Sequence, residues 1–325
     1  MAILVTGGAG FIGSHVCDEL LDKGEEVVCV DNLNSFYPPR IKIRNIAHNL
    51  DNPKFHFHAI SIREKDKLEE IFNKHTFNSI IHLAARAGVG PSIREPLKYR
   101  ETNVTGTLNL LQLAREQAVP KFVFASSSSV YGDIEKVPFH EDTPSNIPLS
   151  PYAASKRACE IFCANYSHIC DMDITALRYF TVYGPRNRPD MAIYKFAKAI
   201  QNGTPITVYK HTKEGTEEPI KRDFTFIKDI VQGTISAMKK NTNGKKYEVL
   251  NLGNSTPVDI QKLVQLLEEQ IGKKAIIQHA PLPIGDVPIT YANTQKAQEM
   301  LGWKATTPIE EGIQHFGNWF KETHL

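Results

Sequence analysis

A tyrosine and a lysine four positions apart, Tyr152 and Lys156, have the types and spacing needed for proton transfer. On an α-helix, residues at this spacing share a face, so the ammonium group would lie beside the phenol. A neighbouring positive charge lowers the pKa of a phenol from its unperturbed value of about 10. Tyr152 could then act as a general base near neutral pH. The alternative is an ordinary surface pair, and the rest of the chain decides between the two.

The glycine-rich segment at residues 7–13, GGAGFIG, indicates where a nucleotide binds. It follows the apolar run at residues 3–6 and leads into a segment with helical apolar periodicity. Gly7 permits a tight turn, Gly10 lets the backbone approach phosphates, and Gly13 lets the helix pack closely on the strand. The free N–H groups at the start of the helix attract an anion. Strand, turn and helix in this order predict a dinucleotide site.

A second apolar run at residues 26–31 ends in Asp31, which lies 18 residues after Gly13. A carboxylate there accepts hydrogen bonds from a ribose 2′-hydroxyl and repels a 2′-phosphate, which predicts NAD rather than NADP. The positive nicotinamide of such a cofactor would lower the pKa of Tyr152 further. A dinucleotide site in the same chain therefore favours the catalytic interpretation of Tyr152 and Lys156.

Strand-like runs alternate with helical segments through the first half of the chain. Strands are predicted at residues 3–6, 26–31, 54–60, 79–83, 121–125 and 173–178, with helices between them, for example at 67–73 and 105–117. This alternation predicts an α/β fold with a Rossmann-like doubly wound parallel sheet and right-handed crossovers.

The pattern changes after Gly184, where prolines and glycines interrupt the alternation. We expect a smaller C-terminal lobe interwoven with the sheet and containing a polar loop at residues 210–221. The chain ends in a predicted helix with Thr307 as N-cap and Pro308 in the first turn. Its predicted buried face comprises Ile309, Ile313, Phe316 and Phe320.

The composition excludes several classes of protein. The chain has 325 residues, 41% of them hydrophobic and 23% charged, and its net charge of +2 gives no basic field for nucleic acid. Five cysteines without a Cys-x-x-Cys pair predict a reducing, cytoplasmic compartment rather than a disulfide framework. We expect no metal site, because no His-Glu-x-x-His motif occurs. Neither a signal peptide nor a membrane span is expected.

The glycine motif, the Tyr152–Lys156 pair and the segment at residues 178–192, RYFTVYGPRNRPDMA, resemble the extended short-chain dehydrogenase/reductase family. The chain is most similar to the nucleotide-sugar 4-epimerases, over residues 3–320. The resemblance implies an NAD cofactor, a UDP-sugar substrate and a homodimer. It also implies that Tyr152 removes the proton of the sugar 4-hydroxyl. The resulting 4-keto sugar rotates about its diphosphate bonds and is reduced on its other face.

The resemblance adds Ser127, four residues before Tyr131, to Tyr152 and Lys156 as the third catalytic residue. Its hydroxyl would bond the substrate hydroxyl and guide the proton to the tyrosine. The motifs and the resemblance together assign to the cofactor Gly7, Gly10, Phe11, Ile12, Gly13, Asp31, Asn32, Ile62, Leu83, Ala84, Ala85, Asn103, Tyr152, Lys156 and Tyr179.

The residues after Ser127 separate related reactions. The similar dehydratases carry an Asp-Glu pair where Ser128 and Ser129 stand, and the similar UDP-glucuronate decarboxylases carry Glu at the position of Ser129. Serine cannot replace a carboxylate as the acid or base of an elimination. The sequence therefore favours epimerisation over dehydration or decarboxylation.

Thr181 and the segment at residues 184–192 resemble the UDP-glucuronate 4-epimerases, because UDP-galactose 4-epimerases usually have Asn at the position of Thr181. An arginine fork binds a carboxylate through two hydrogen bonds. We therefore expect Arg188 to bind the sugar C6 carboxylate, with hydroxyl groups as partners. The resemblance also implies that an arginine contacts the diphosphate and an aspartate the uridine ribose. The predicted substrate-binding residues are Ser128, Ser129, Thr181, Arg188, Arg222 and Asp286.

Three features depart from the family pattern. Ser61 stands where an Asp often binds the adenine amine, and Gly90 stands where uronate epimerases commonly have Arg, although Arg86 is close. The segment at residues 210–221 is longer than usual. A UDP-galactose 4-epimerase is therefore the nearest alternative, and a non-catalytic NAD-binding scaffold is the alternative from another class.

The domain boundaries follow from these assignments. The NAD-binding Rossmann domain is predicted at residues 1–181, with return segments near 224–252. The UDP-sugar-binding lobe is predicted at residues 182–223 and 253–325.

Overall fold

The structure is a computed structural model that describes residues 1–144, 147–213, 215–240 and 246–324. Its strands are β1 (Ala2–Thr6), β2 (Val27–Val30), β3 (Phe55–His58), β4 (Phe77–His82), β5 (Lys121–Ser127), β6 (Asp173–Tyr179), β7 (Thr181–Tyr183), β8 (Ile206–Lys213), β9 (Thr216–Glu218), β10 (Lys221–Phe226), β11 (Tyr247–Leu252), β12 (Pro257–Asp259) and β13 (Ile277–Pro281).

The helices lie mostly between these strands. They are α1 (Phe11–Asp22), α2 (Pro39–Ile46), α3 (Lys65–Lys74), α4 (Val89–Arg94), α5 (Pro96–Tyr99), α6 (Gly106–Glu116), α7 (Pro151–Ile169), α8 (Ala192–Asn202), α9 (Ile227–Lys239), α10 (Ile260–Ile271), α11 (Gln295–Leu301) and α12 (Ile309–His324). A π-helical turn at Arg100–Thr105 joins α5 to α6, and a 3-10 turn at Ser128–Tyr131 follows β5.

Seven parallel strands form the central sheet, in the order β3-β2-β1-β4-β5-β6-β11. The predicted doubly wound parallel sheet is thereby confirmed. The strand order reverses between β1 and β4, and ligands of open α/β sheets bind at the carboxyl ends of the strands at such a switch point.

Both faces of this sheet are buried at its centre, which explains why β1 and β2 are apolar runs rather than alternating ones. In β1, Ile3 and Val5 belong to one buried cluster that includes side chains of α1 and α9. Leu4, on the other face, belongs to a second cluster that includes side chains of α3, α6 and α7. The two helical layers therefore hold the carboxyl ends of the strands in fixed positions.

The later part of the chain forms two smaller sheets. In the first, β10 pairs in parallel with β7 and antiparallel with β12. In the second, β8 pairs in parallel with β13 and antiparallel with β9. The strand β11, which falls in the return segment predicted near 224–252, lies in the central sheet beside β6. Residues 241–245 of that segment lie outside the described residues, and the proposed domain division stays a prediction.

Two local predictions are wrong. Most of the predicted polar loop at residues 210–221 belongs to the antiparallel β8–β9 hairpin and to the first residue of β10. The residues that pair in this hairpin, 211–213 and 216–218, are polar and mostly exposed, so no apolar alternation marks them. Residue 214, within this segment, lies outside the described residues.

The final helix begins later than predicted, at Ile309, and Pro308 accepts the first helical hydrogen bond from Gly312. Thr307 is therefore not the N-cap; its backbone N–H donates to the carboxylate of Asp229 at 3.1 Å. The predicted buried face of this helix is confirmed, since Ile309, Ile313, Phe316 and Phe320 are all buried.

Candidate active site

A cavity of about 840 Å³ opens at the carboxyl ends of the central strands. Most of the predicted site residues line it. The predicted residues at the cavity wall are Gly7, Gly10, Phe11, Ile12, Gly13, Asp31, Asn32, Ile62, Leu83, Ala84, Ala85, Ser127, Ser128, Ser129, Tyr152, Lys156, Tyr179, Thr181 and Arg188. Residues far apart in the chain thus meet around one space large enough for a dinucleotide and part of a second ligand.

The glycine segment at residues 7–13 forms a cradle at the cavity wall, in which a side chain would collide with the backbone. A Cβ atom at Gly13 would lie 2.2 Å from the carbonyl oxygen of Gly7, and one at Gly7 would lie 2.7 Å from the backbone nitrogen of Ala84. Gly7 also has a φ of 71°, a conformation that favours glycine. Helix α1 begins directly after Gly10, so its free N–H groups face the same space. These features fit a pyrophosphate.

Asp31 lies buried at the end of β2, where one carboxylate oxygen accepts a hydrogen bond from the backbone of Leu33 at 2.8 Å. The Nζ atom of Lys42, from α2, lies 3.6 Å from the same carboxylate. Burial lowers the pKa of Lys42, and the charge of Asp31 opposes that shift. This cation was missed in the sequence. The signal for it is a lysine that shares the buried face of α2 with Asn45 and Ile46.

Tyr152 and Lys156 occupy the first two turns of α7, whose start is fixed by Ser150. The Ser150 hydroxyl accepts a hydrogen bond from the backbone of Ala153 at 3.2 Å, as expected of an N-cap residue. The Nζ atom of Lys156 donates to the carbonyl oxygen of Ala125 at 2.6 Å. Lys156 is therefore tied to the end of β5, and the cap helps to place Tyr152 in the cavity wall.

The groups that lower the pKa of Tyr152 in the structure differ from the sequence expectation, because Lys156 is not among them. Burial raises the pKa of Tyr152, whereas a hydrogen bond with Ser127 and the positive charge of Arg188 act in the opposite direction. Burial lowers the pKa of Lys156 to about 8. The groups that favour the tyrosinate here are Ser127 and Arg188. A joint effect of Lys156 and a bound nicotinamide stays a prediction.

The serine segment turns sharply at the end of β5. The Ser127 hydroxyl accepts a hydrogen bond from the backbone N–H of Ser129 at 3.2 Å. It also lies 3.2 Å from the hydroxyl of Ser129. Ser127, Ser128 and Ser129 all line the cavity, so hydroxyl groups occupy the positions where the similar dehydratases carry acids.

Arg188 projects into the cavity from the loop after β7. Its guanidinium donates to both carboxylate oxygens of Asp190, from Nε at 3.0 Å and from Nη2 at 2.6 Å. Its Cζ atom lies 6.0 Å from the centre of the Phe36 ring. Neither Asp190 nor Phe36 was singled out in the sequence, because nothing local in the segments that contain them indicates that they meet an arginine.

Three predicted residues do not line the cavity. Asn103 is buried and brackets the backbone after β4: its side chain accepts from the N–H of Arg86 at 2.8 Å and donates to the Arg86 carbonyl at 3.0 Å. It also donates to the hydroxyl of Ser155 at 2.9 Å. Arg222, in β10, and Asp286, between β13 and α11, form an ion pair of 2.8 Å with each other.

Within the described residues, no group of three or more His, Cys, Asp or Glu side chains could hold a metal ion. In the same part of the chain, no helix is both long enough and apolar enough to cross a membrane. All five cysteines are free thiols.

Comparisons with known proteins agree with this geometry. The model of the GDP-mannose 4,6 dehydratase family matches residues 4–316. The chain is 42% identical over 320 residues to a UDP-glucuronate 4-epimerase of Thermodesulfobacterium geofontis, covering 98% of this chain and 96% of the relative. It is 40% identical to UDP-glucuronate 4-epimerase 4 of Arabidopsis thaliana, covering 98% of this chain and 75% of that one.

Solved structures are similar over the whole chain. The UDP-glucuronic acid 4-epimerase of Bacillus cereus, in complex with UDP-glucuronic acid and NAD, has a TM-score of 0.90 and 34% identity, covering 100% of both chains. The UDP-glucose 4-epimerase of Thermotoga maritima with UDP-glucose has a TM-score of 0.88 and 34% identity, covering 99% of both chains.

Proposed function

The chain belongs to the GDP-mannose 4,6 dehydratase family, and we propose that it is an NAD-dependent UDP-glucuronate 4-epimerase that forms UDP-galacturonate. One observation carries the proposal: the same cavity joins a glycine cradle, Tyr152 and Ser127, and an arginine fork, Arg188. The cradle suits a dinucleotide, the tyrosine suits proton transfer, and the fork suits a sugar carboxylate.

The glycine cradle and the start of α1 would hold the pyrophosphate of NAD, and Asp31 would bond the adenosine ribose. Lys42, 3.6 Å from Asp31, partly balances the charge of that carboxylate. Bound NAD⁺ would supply a hydride acceptor for C4 of the sugar and then a hydride donor to the opposite face of the ring. Because the reaction brings no net oxidation, the cofactor would not need to leave the enzyme.

Tyr152 removes the proton of the sugar 4-hydroxyl, and Ser127 bonds that hydroxyl and guides the proton. A tyrosinate in a buried site needs positive charge nearby, which Arg188 supplies across the cavity. Lys156 is buried and anchored to the end of β5, so it holds its charge in a fixed place relative to the first turn of α7. After rotation of the 4-keto sugar, Tyr152 returns the proton to the oxygen at C4.

A uronic acid adds a difficulty, because its 4-keto form is a β-keto acid that can lose CO₂. Loss of CO₂ is disfavoured when the C5–C6 bond is held near the plane of the carbonyl group. Arg188, with the hydroxyl groups of Thr181 and Ser128, binds the carboxylate and holds it there. The absence of an acid at Ser128 and Ser129 favours epimerisation over dehydration and decarboxylation.

We assign the UDP moiety to the lobe. The Arg222 guanidinium suits the diphosphate, and Asp286 suits the hydroxyl groups of the uridine ribose. Both are partly exposed and already oriented by their mutual ion pair. Binding of UDP would exchange that pair for contacts with the ligand.

The test is to incubate the purified protein, with and without added NAD⁺, with UDP-glucuronate and separately with UDP-glucose. Products are followed by NMR, together with released CO₂. We expect UDP-galacturonate without CO₂. We expect Tyr152→Phe to lower kcat by about 10²–10⁴-fold while NAD still binds, since this is the typical contribution of a general base. Formation of UDP-xylose or another decarboxylated product would contradict the assignment as an epimerase.

UDP-galactose 4-epimerase is the second candidate, and Gly90 favours it. A Cβ atom at Gly90 would have no neighbour within 4 Å, so the position offers open space and no cation. Formation of UDP-galactose alone in the same incubation would establish this alternative.

We also propose that the protein works as a cytoplasmic homodimer. The five free cysteines support a reducing compartment. The exposed Ile161 and Ile169 on α7 support burial of that helix against a second copy. Sedimentation equilibrium with Ile161→Glu tests the dimer: a wild type that sediments as a monomer would contradict it.

A further inference from the structure

Arg188 does not present its whole guanidinium to the cavity. A guanidinium can bind a carboxylate along two edges, one made by Nε and Nη2 and the other by Nη1 and Nη2. Asp190 occupies the first edge with two hydrogen bonds of 3.0 and 2.6 Å. Within the described part of the chain, no protein acceptor meets Nη1. The second edge therefore remains available to a ligand.

The surroundings fix the plane of this group. Asp190 lies two residues after Arg188 on the same loop, so both ends of the ion pair are held by one short backbone segment. The ring of Phe36 lies beside the guanidinium. Charge-assisted hydrogen bonds to Asp190 and the aromatic neighbour leave the long arginine side chain little rotational freedom.

We infer that Asp190 is a positioning residue that directs the Nη1/Nη2 edge of Arg188 toward the C6 carboxylate of the sugar. This inference rests on the proposed function, because it needs a uronic acid as substrate. The advantage is preorganisation, since a side chain that is already ordered loses less entropy when the ligand binds. The opposing effect is the negative charge of Asp190, which repels the incoming carboxylate and partly neutralises Arg188.

The position of the Arg188 guanidinium also affects whether the 4-keto intermediate loses CO₂. When CO₂ is lost, the C5–C6 bond breaks, its electron pair moves into the C4 carbonyl to give an enolate, and water later supplies a proton to C5. This step needs the C5–C6 bond roughly perpendicular to the carbonyl plane. A guanidinium whose plane is fixed binds the carboxylate in one orientation and opposes that geometry. Greater rotational freedom of the Arg188 side chain would therefore increase CO₂ release.

The test compares affinity for UDP-glucuronate with affinity for UDP-glucose, which lacks the carboxylate. Dissociation constants are measured by calorimetry on the NAD-loaded protein, and CO₂ is counted per turnover. For Asp190→Ala we expect the UDP-glucuronate constant to rise roughly tenfold or more, the UDP-glucose constant to change less than about twofold, and CO₂ release to rise. Asp190→Glu, which keeps the charge, should restore most of the preference.

Two controls separate positioning from a general structural role. In the Arg188→Ala background, adding Asp190→Ala should cause no further loss, because Asp190 acts through Arg188. Glu95→Ala removes the acid that pairs at 3.0 Å with Arg86, another arginine of the cavity wall, and should leave the uronate preference unchanged.

The inference is overturned if Asp190→Ala binds UDP-glucuronate as tightly as the wild type or more tightly, since Asp190 would then only compete with the substrate. An equal loss in the Arg188→Ala background would overturn it as well. Turnover by the wild type tests the proposed function separately: a wild type that binds UDP-glucuronate without epimerising it contradicts that function, and the affinities still decide the role of Asp190. Asp190→Asn serves as the test variant if Asp190→Ala does not fold.

Discussion

Backbone packing shapes most of the cofactor half of the site, although Asp31 and Lys42 form a charged pair there. Pairs of charged side chains shape the substrate half. At the glycine cradle, a Cβ atom at Gly7 or Gly13 would collide with main-chain atoms. In the substrate half, two arginines, Arg188 and Arg222, each reach a carboxylate of the same chain. A ligand can take the place of such a carboxylate or bind beside it, but it cannot reshape the cradle.

The ion pairs of the two halves also differ in burial. Beneath the end of β5, Glu160 is wholly buried and receives hydrogen bonds from Arg178, Ser126 and Arg157. In the second pair, the side chain of Asp286 is 38% exposed and that of Arg222, which it meets at 2.8 Å, is 14% exposed. Removal of a wholly buried carboxylate leaves an uncompensated buried charge, whereas water can replace a partly exposed carboxylate. We therefore expect Glu160 to contribute more to stability than Asp286 does.

The largest expected effect on stability comes from Glu160→Gln. Burial disfavours the charged form of Glu160, but its hydrogen bonds with Arg178 outweigh this and lower its pKa, so the pair is ionised at neutral pH. The substitution leaves the buried Arg178 uncompensated and should lower the free energy of unfolding by about 3–5 kcal/mol. Urea denaturation followed by circular dichroism measures it. The matched control, Glu69→Gln, removes an exposed pair with Lys65 and should change stability by less than about 1 kcal/mol.

If Glu160→Gln lowered the free energy of unfolding by no more than Glu69→Gln does, the buried pair would add no more stability than a surface pair. The contrast between the two halves would then rest on the glycine cradle alone.

The second-largest expected effect on stability comes from Gly13→Ala, in the glycine cradle. In Gly13→Ala the new methyl group would meet the carbonyl oxygen of Gly7 at 2.2 Å, a clash between rigid parts of the chain. We expect a loss toward the upper end of the about 1–3 kcal/mol that overpacking costs, and NAD⁺ binding weakened at least about tenfold. Calorimetry with NAD⁺ and urea denaturation measure the two effects. Gly90→Ala, where nothing lies within 4 Å and the residue is part of α4, is the matched control: it should leave NAD⁺ binding unchanged and should not lower stability.

These predictions also show what the sequence could supply. The cradle was predictable because Gly7, Gly10 and Gly13 act through local backbone geometry, which spacing alone encodes. The strands of the central sheet, and therefore the edge formed by their carboxyl ends, could be predicted from the alternation of apolar and helical segments. The positions of Ser127, Tyr152 and Arg188 at one cavity followed from motifs and resemblance, and the fold then brought them together.

The partners of the charged residues could not be predicted in the same way. Lys42 reaches Asp31, and Arg222 reaches Asp286, across sequence gaps that no periodicity spans. The β8–β9 hairpin escaped detection because its paired residues, 211–213 and 216–218, are polar and mostly exposed. Side-chain pairing depends on tertiary contacts, and a polar strand carries no apolar pattern.

A buried histidine gives the sheet half a dependence on pH. His82 lies between the hydroxyl groups of Thr6 and Thr107, at 2.7 and 2.9 Å, and is 1% exposed. Burial, aided by the charge of Lys156, lowers its pKa to about 3. The folded state thus resists protonation that the unfolded chain accepts. Stability is full above the unfolded pKa of about 6.5 and falls as the pH drops below it, by about 1.4 kcal/mol per pH unit.

Because of His82, the free energy of unfolding should therefore be about 2 kcal/mol lower at pH 5 than at pH 7.5. His15, with a pKa lowered to about 4 by burial, acts in the same direction, so the measurement must isolate one residue. His82→Gln removes this titration while keeping a donor and an acceptor for the two threonines. The difference in unfolding free energy between the two pH values should shrink by about 2 kcal/mol in this variant. An unchanged difference would assign the acid sensitivity elsewhere.

The smallest expected change in stability belongs to the pair of Arg222 and Asp286. Asp286→Asn should lower the free energy of unfolding by less than about 1 kcal/mol, because its carboxylate is 38% exposed and water can replace its partner. Arg222→Gln should cost somewhat more, because its side chain is 14% exposed and also donates to the carbonyl oxygens of Lys221 and Pro288 at 3.0 Å. If Arg222 binds the diphosphate, UDP affinity measured by calorimetry should nevertheless fall roughly tenfold or more in Arg222→Gln, since a charge-assisted hydrogen bond to an anion is lost. Asp286→Asn frees Arg222 while removing a ribose acceptor, and the two effects oppose each other. Its change in UDP affinity should therefore be smaller than that of Arg222→Gln. A large loss of stability with unchanged UDP affinity would make this pair a structural one, and the two halves of the site would then be built alike.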